Sequence, residues 1–258
     1  VTLGKTHWPE TNRVMLRDRR IGCSVSGIAQ FITNSGLGKL KCWLEKGYDH
    51  LQELDKKYSD WLAVPRSIKT TSVKPSGTVS LLAGATPGLH YPESRFYIRR
   101  IRLSKHSALI EPLEKAGYKI EPCFGSEDST VIVEIPVDVG EGIRTASELT
   151  IWEQFSLAAF MQRHWADNQV SCTATFNPET EGAQLSQVLN YFQYKLKGIS
   201  LLPRKNGGAY RQMPYETIDE KTYYSEVEKL GKLSFTGISG EEAEIDKFCN
   251  NDICEIEF

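Results

Sequence analysis

Between Lys41 and Leu62 the apolar residues Trp43, Leu44, Leu51, Leu54, Tyr58, Trp61 and Leu62 recur at close to helical spacing, with Pro65 just beyond. The pattern predicts a helix that tolerates Gly47. Thr70–Val73 is short and β-prone, Phe96–Leu103 reads as a strand, and Ser107–Ala116 reads as a helix closed by Gly117. Thr130–Val137 is almost wholly apolar, which predicts a strand buried on both faces. The second half alternates: a helix over Ala146–Asp167, a strand over Gln169–Phe176, a helix over Glu181–Lys197 and a short strand over Ile199–Leu202. Alternation of this kind predicts an α/β architecture with a substantial parallel component. The opening, Val1–Gly36, reads as loop-rich around a small, apolar stretch from Ile21 to Phe31. Beyond Pro203 the pattern weakens, with Lys205–Gly208 a loop, Tyr223–Leu230 at most one helix, and Ser239–Phe258 acidic and weakly apolar. Residues 1–205 are therefore expected to form the main body, and 206–258 a peripheral segment ending in a mobile tail.

Composition narrows the class without naming a function. With 40% hydrophobic and 25% charged residues the chain reads as an ordinary globular protein. A net charge of −2 with both signs interspersed gives no nucleic-acid or membrane-surface footprint. No apolar run approaches spanning length, and Val1–Glu10 is polar and interrupted by Pro9, unlike a signal peptide. Six cysteines without secretory context point to reduced thiols in the cytoplasm. A start on Val rather than Met points to a piece of a longer protein.

Two stretches carry candidate chemistry. In Lys74-Pro75-Ser76-Gly77-Thr78-Val79-Ser80 a β-prone segment meets a Pro/Gly turn, then hydroxyl residues, then an apolar run. That order suggests a strand, a tight loop and a helix start, where exposed N–H groups would favour an anion and Ser76, Thr78 and Ser80 could add donors. A plain helix cap reads the same residues equally well. The second stretch is the tail, where Cys249 and Cys254 flank four residues of turn character. A structural disulfide there would close a trivial loop, the neighbouring acids do not depress a thiol pKa, and no second Cys or His pair completes a zinc site. A mobile thiol couple that exchanges disulfides fits better. Cys23, Cys42, Cys123 and Cys172 read as structural, and no His or carboxylate spacing supports a metal site. Arg95, Arg99, Arg100 and Arg102 read as a solvated face or as partners of acids in Glu111–Glu121, with phosphate contact as the sharper alternative.

Taken in order, Thr6-His7-Trp8-Pro9-Glu10-Thr11-Asn12, Arg19-Arg20-Ile21-Gly22, the Lys74–Ser80 loop, Tyr97-Ile98-Arg99-Arg100, Asp167-Asn168-Gln169-Val170-Ser171 and Leu196-Lys197-Gly198-Ile199-Ser200 resemble one family. They are similar to the C-terminal part of the adenosylcobalamin-dependent ribonucleoside-triphosphate reductases, the class II ribonucleotide reductases, over essentially the whole chain. The resemblance implies the later strands and helices of a ten-stranded α/β barrel, followed by the peripheral segment and tail. It implies replacement of the ribose 2′-hydroxyl of a ribonucleoside triphosphate by hydrogen, with adenosylcobalamin (cobalt) generating a thiyl radical. It assigns Ser76, Gly77, Thr78, Val79 and Ser80 to the substrate phosphates. It makes Cys249 and Cys254 the thiols that reduce an active-site disulfide and are themselves re-reduced by thioredoxin. A monomeric, cytoplasmic enzyme is implied as well.

One departure bears on scope. The family's radical cysteine lies in an Asn-x-Cys-x-Glu loop that does not occur here, and Cys23 is not read as its substitute. The chain alone is therefore not expected to turn over. Two alternatives stay open on the sequence: the large subunit of another reductase class, or a non-catalytic nucleotide-binding module with a disulfide tail. A glycyl-radical signature is missing near the C-terminus, and Gly77 stands where a di-iron-dependent subunit would usually carry Glu.

Overall fold

The computed structural model describes residues 2–4, 6–77, 79–204 and 211–236. Helices α1 (Pro9–Asp18) and α2 (Ile28–Trp61) and the single turn α3 (Val79–Leu82) precede β1 (Phe96–Ser104), α4 (Ile110–Lys115), β2 (Lys119–Pro122) and β3 (Thr130–Asp138). Then follow α5 (Ile151–His164), β4 (Thr173–Phe176), α6 (Pro178–Glu181), α7 (Leu185–Phe192), β5 (Ser200–Pro203), β6 (Tyr215–Thr217) and α8 (Glu220–Val227). The architecture is mixed α/β, and no closed sheet occurs among the described residues. The chain divides into two compact units, Val1–Pro92 with Glu141–Arg204, and Glu93–Gly140 with the described residues after Arg204.

The first unit is built on extended segments that run parallel. β4 and β5 pair in parallel, and single parallel bridges join Cys23 to Thr71 and Val73 to Val170. The bonds Ser72 N to Cys23 O (3.0 Å), Ser171 N to Val73 O (2.8 Å) and Ser200 N to Cys172 O (3.0 Å) continue the array. Alternate residues supply one buried face: Val73, Val170 and Cys172 pack with Leu40, Leu44, Met161 and Trp165, while Ala174 and Phe176 pack with Ile151, Phe155, Val188 and Phe192. Helices α2 and α5 thus cover that face, as apolar positions at strand and helix periods require. α5 begins five residues later than the expected Ala146, at a capping box: Thr150 Oγ1 accepts Glu153 N–H at 3.2 Å, and the Glu153 carboxylate accepts Thr150 N–H at 2.9 Å. With Arg144 also bonded to it, the Glu153 carboxyl falls to about 2.

Helix α2 starts earlier than its periodicity predicts, because Gly36 (φ 78°, ψ 159°) kinks rather than ends it. Helix α1 replaces part of the expected loop. Its sequence buries no side chain, so it shows no apolar stripe, yet Pro9 sits in its first turn and Thr6 and Asn12 brace its start. Thr6 N donates to Asn12 Oδ1 at 2.6 Å, and Asn12 Nδ2 returns to Thr6 O at 2.8 Å.

The second unit is an antiparallel sheet in the order β2-β3-β1-β6. β3, expected as a strand buried on both faces, buries Val131, Ile132 and Val133 but leaves its second half partly exposed. Its neighbours β1 and β2 are both antiparallel, and its short apolar run cannot report strand direction. The register sets Arg100 directly opposite Glu134. Arg100 pairs with Glu134 at 2.8 Å and with Glu216, and Lys119 pairs with Glu134 at 2.9 Å. Arg99 donates to Pro214 O at 3.0 Å and lies over the Tyr215 ring. Arg99 and Arg100 thus work within the sheet, and the acids that meet Arg100 are Glu134 and Glu216 rather than Glu111–Glu121. β6 and β2 were outside the sequence expectation.

Candidate functional site

Lys74–Ser80 leaves the parallel array at its second segment and turns into α3. Ser76 adopts φ 48°, a left-handed conformation that costs a non-glycine residue on the order of 1–3 kcal/mol and persists only where neighbours over-determine it. They do so here. Ser80 N and Ser80 Oγ both donate to Ser76 O, at 3.0 and 2.6 Å. Ser76 Oγ bonds Ser26 Oγ and accepts Gly88 N–H at 3.3 Å. Gly88 comes so close that a Cβ on it would lie 2.4 Å from Lys74 O, at φ +55°.

The loop is also tied to the start of α2. Lys74 N donates to Ser24 Oγ at 2.9 Å, Gly27 N to Thr86 O at 2.8 Å and Ile28 N to Gly88 O at 3.3 Å. Gly27 has no capping side chain, so these carbonyls from the loop's return segment satisfy the first donors of the helix. Of the residues expected at the phosphates, Ser76 and Ser80 spend their hydroxyls inside the loop, Ser80 being buried. Gly77 and exposed Val79 keep N–H groups that bond no described residue. Thr78 lies outside the described residues, as do Cys249 and Cys254.

Beside the loop is a cleft of about 530 Å³ lined by Arg20, Ile21, Gly22, Ser72, Lys74, Asn168 and Gln169. Every one of these except Ser72 belongs to a motif that carried the family resemblance, so the sequence held the signal without revealing that it converges. The motifs also staple the array. Asn168 Nδ2 donates to Ile21 O at 2.8 Å and to Thr71 O at 2.9 Å. The Asp167 carboxylate accepts Thr70 N–H (2.9 Å), Thr70 Oγ1–H (3.0 Å) and the Tyr48 hydroxyl (2.9 Å). Burial pushes this carboxyl up, but those bonds outweigh it and hold its pKa below the ordinary range. At Gly22 and Gly198 a Cβ would meet side-chain ends, Ser72 Oγ at 2.8 Å and Gln169 Nε2 at 2.9 Å, so these side chains would have to shift to admit one.

His90 closes the return segment. Its Nε2 accepts Thr173 N–H at 3.2 Å, so the proton sits on Nδ1 and donates to Pro87 O at 3.3 Å. Burial pushes the imidazole below the ordinary histidine range, against a smaller upward pull from Pro87 O. Among the described cysteines, Cys23 and Cys42 are exposed and Cys123 and Cys172 buried, with burial pushing the Cys172 thiol up to about 12. Among the described residues no group of three or more His, Cys, Asp or Glu is placed to hold a metal ion, and no helix is long and apolar enough to cross a membrane.

No family model matches the chain. It is 59% identical over 259 residues to an adenosylcobalamin-dependent ribonucleoside-triphosphate reductase of Euglena gracilis, covering 98% of the chain and 36% of the relative. A probable enzyme of the same name from Dictyostelium discoideum is 58% identical over 261 residues, covering 99% of the chain and 34% of the relative. The fold agrees: the crystal structure of a B12-dependent (class II) ribonucleotide reductase superposes with a TM-score of 0.77 at 33% identity, over 89% of this chain and 36% of that one. The chain belongs to the class II ribonucleotide reductases. It spans about a third of the length of the reductases it matches. Two cavities among the described residues, of about 530 and 650 Å³, mix charged and polar groups with apolar ones, Arg20, Lys74 and Ile21 in the first and Lys105, Glu111 and Ile110 in the second.

Proposed function

We propose that this chain is part of an enzyme that reduces ribonucleoside triphosphates to 2′-deoxyribonucleoside triphosphates. The observation that carries the reading is 59% identity, sustained over 98% of the chain, to a reductase of that name. In the intact enzyme adenosylcobalamin, when bound, supplies the radical chemistry, and no described residue is assigned a step with it. The thiyl-radical cysteine belongs to an Asn-x-Cys-x-Glu loop outside this sequence, so the chain by itself does not turn over.

Within the chain, Ser76, Gly77, Thr78, Val79 and Ser80 form the substrate-phosphate loop. What supports this is the pair of N–H groups at Gly77 and Val79 that bond no described residue, on a backbone braced by Ser26, Gly88 and Ser80, beside the cations Lys74 and Arg20. Ser76 and Ser80 act by shaping the loop, the backbone by donating. The ten-stranded barrel has structural support of a different kind. Parallel segments are ordinarily covered on both faces, and here helices cover one while Gly22, Ser72, Lys74 and Gln169 line a cleft on the other. Closure into a barrel would cover it, with 1–205 supplying the later part and 206–258 the peripheral segment. Cys249 and Cys254 shuttle electrons from thioredoxin to the active-site disulfide of a cytoplasmic, monomeric enzyme.

The test is an assay of the full-length protein containing this sequence, with a ribonucleoside triphosphate, adenosylcobalamin and either thioredoxin or a small dithiol. Formation of the 2′-deoxynucleotide is expected, and its failure with every reductant sinks the reading. Replacing Cys249 and Cys254 by Ser should abolish turnover with thioredoxin and spare it with the dithiol. Equal loss with both reductants would show that the pair is not a shuttle.

A further inference from the structure

Gln30 lies in the first turn of α2, outside the motifs that carried the family resemblance, and both ends of its carboxamide are used on one short stretch of backbone. Nε2 donates to Gly84 O at 3.0 Å and Oε1 accepts Thr86 N–H at 2.8 Å. A side-chain amide held this way pairs with a strand of backbone as another peptide unit would. Thr86 is 3% exposed, so its N–H has no solvent to fall back on if the acceptor is removed. The clamped stretch leads two residues later to Gly88, whose N–H reaches Ser76 Oγ and whose lack of a Cβ allows contact with Lys74 O. Gly27 N and Ile28 N, on the same turn of chain as Gln30, hold Thr86 O and Gly88 O. Ser26 bonds the Ser76 hydroxyl directly.

We propose that Gln30 is a positioning residue for the phosphate loop: by clamping Gly84–Thr86 it seats Gly88 under Ser76, and so keeps the left-handed Ser76 from relaxing and turning the Gly77 and Val79 N–H groups away. The residue touches no ligand. Its effect reaches the site through a chain of hydrogen bonds of 2.8 to 3.3 Å that ends on the Ser76 hydroxyl. The strained Ser76 makes such a brace necessary, because a residue in that region relaxes when its neighbours stop defining it. Ser26 alone supplies one hydroxyl contact from an exposed position, whereas Gln30 fixes two backbone groups at once.

The inference rests on the phosphate-loop reading given above, and the experiment separates the two. In the full-length reductase, Val79→Pro removes one proposed phosphate donor at the first position of α3, where proline is well tolerated. Gln30→Ala removes the clamp, and Gln30→Glu keeps the acceptor for Thr86 while losing the donor to Gly84. The expected result is a KM for the ribonucleoside triphosphate raised about tenfold by Val79→Pro and by Gln30→Ala, less by Gln30→Glu, with kcat changed less than twofold. A Val79→Pro effect without a Gln30→Ala effect overturns the role of Gln30 and leaves the loop reading standing. No effect from either variant overturns both. A Gln30→Ala loss of kcat and thermal stability with KM unchanged assigns the residue to folding alone and also overturns the proposal.

Discussion

The central segments of the two units lean on different partners for their polar groups. In the antiparallel unit charges are matched in pairs across the sheet: Arg100 lies between Glu134 and Glu216, and Lys119 takes the other oxygen of Glu134. In the loop-bearing unit side chains are matched to backbone: Asn168 to Ile21 and Thr71, Asp167 to Thr70, Gln30 to Gly84 and Thr86, Ser24 to Lys74. Ladders satisfy the backbone of the antiparallel sheet, whereas the parallel array, outside the short β4–β5 ladder, has single bridges and irregular turns that need side chains as partners. The difference teaches where chemistry can sit. The N–H groups of Gly77 and Val79, which bond no described residue, lie where the surrounding backbone is held by side chains rather than by a ladder.

The comparison can be broken most forcefully at the core of the loop-bearing unit. Phe155→Ala removes a ring that is 1% exposed and should cost about 3–5 kcal/mol in denaturant unfolding, with amide exchange accelerating in β4 and α7. Asp167→Ala comes next. It strands the buried Thr70 N–H and should cost about 1–3 kcal/mol, read from the same unfolding curves. If Asp167→Ala costs nothing, side-chain staples do not hold the parallel array and the contrast between the units fails. Glu134→Gln in the antiparallel unit should cost less, about 1–2 kcal/mol, since Arg100 keeps Glu216 and both charges retain some water.

A pH titration sharpens the same contrast. The folded pKa of His90 is lowered, so the unfolded chain takes up the proton first and stability declines as pH falls below the ordinary histidine range. The carboxyls of Asp167, Glu134 and Glu153 are also lowered, so their contribution is present above the ordinary carboxylate range and is lost as pH falls through their folded values. Amide exchange near Thr173 should therefore quicken at a higher pH than exchange across β1 and β3. His90→Gln should remove that early phase. Smallest of all, Lys115→Ala breaks an exposed pair with Glu111 on α4 and should leave the unfolding midpoint where it was.

Much of this was legible in the residues, and the exceptions have physical causes. The Gly117 stop and the alternation from Ala146 to Leu202 are local signals, and they located their elements to within about five residues. The helix expected from Ala146 begins at Ile151, at the Thr150–Glu153 capping box, which lay outside the sequence expectation. α1 hid because a helix that buries nothing has no apolar stripe, leaving Pro9 as its clearest mark. β6 hid because three residues make a strand only by pairing with β1, more than a hundred positions earlier. The acids that meet Arg100 follow from strand register, which composition near the arginines does not report. At the candidate site the loop itself stood out, while Gln30, Ser24 and Ser26 did not: a polar side chain gives no sequence sign of which distant backbone it will hold.

The unequal exposure of the cysteines has a practical reach. An alkylating reagent at neutral pH meets Cys23 and Cys42 readily, while Cys172, buried and with its thiol held near 12, stays silent along with buried Cys123. Serine at positions 23 and 42 would therefore leave, among the described residues, a dark background. Against it a fluorophore or mass tag on Cys249 or Cys254 could be followed alone, turning the thiol inventory of the fold into a reporter for the pair.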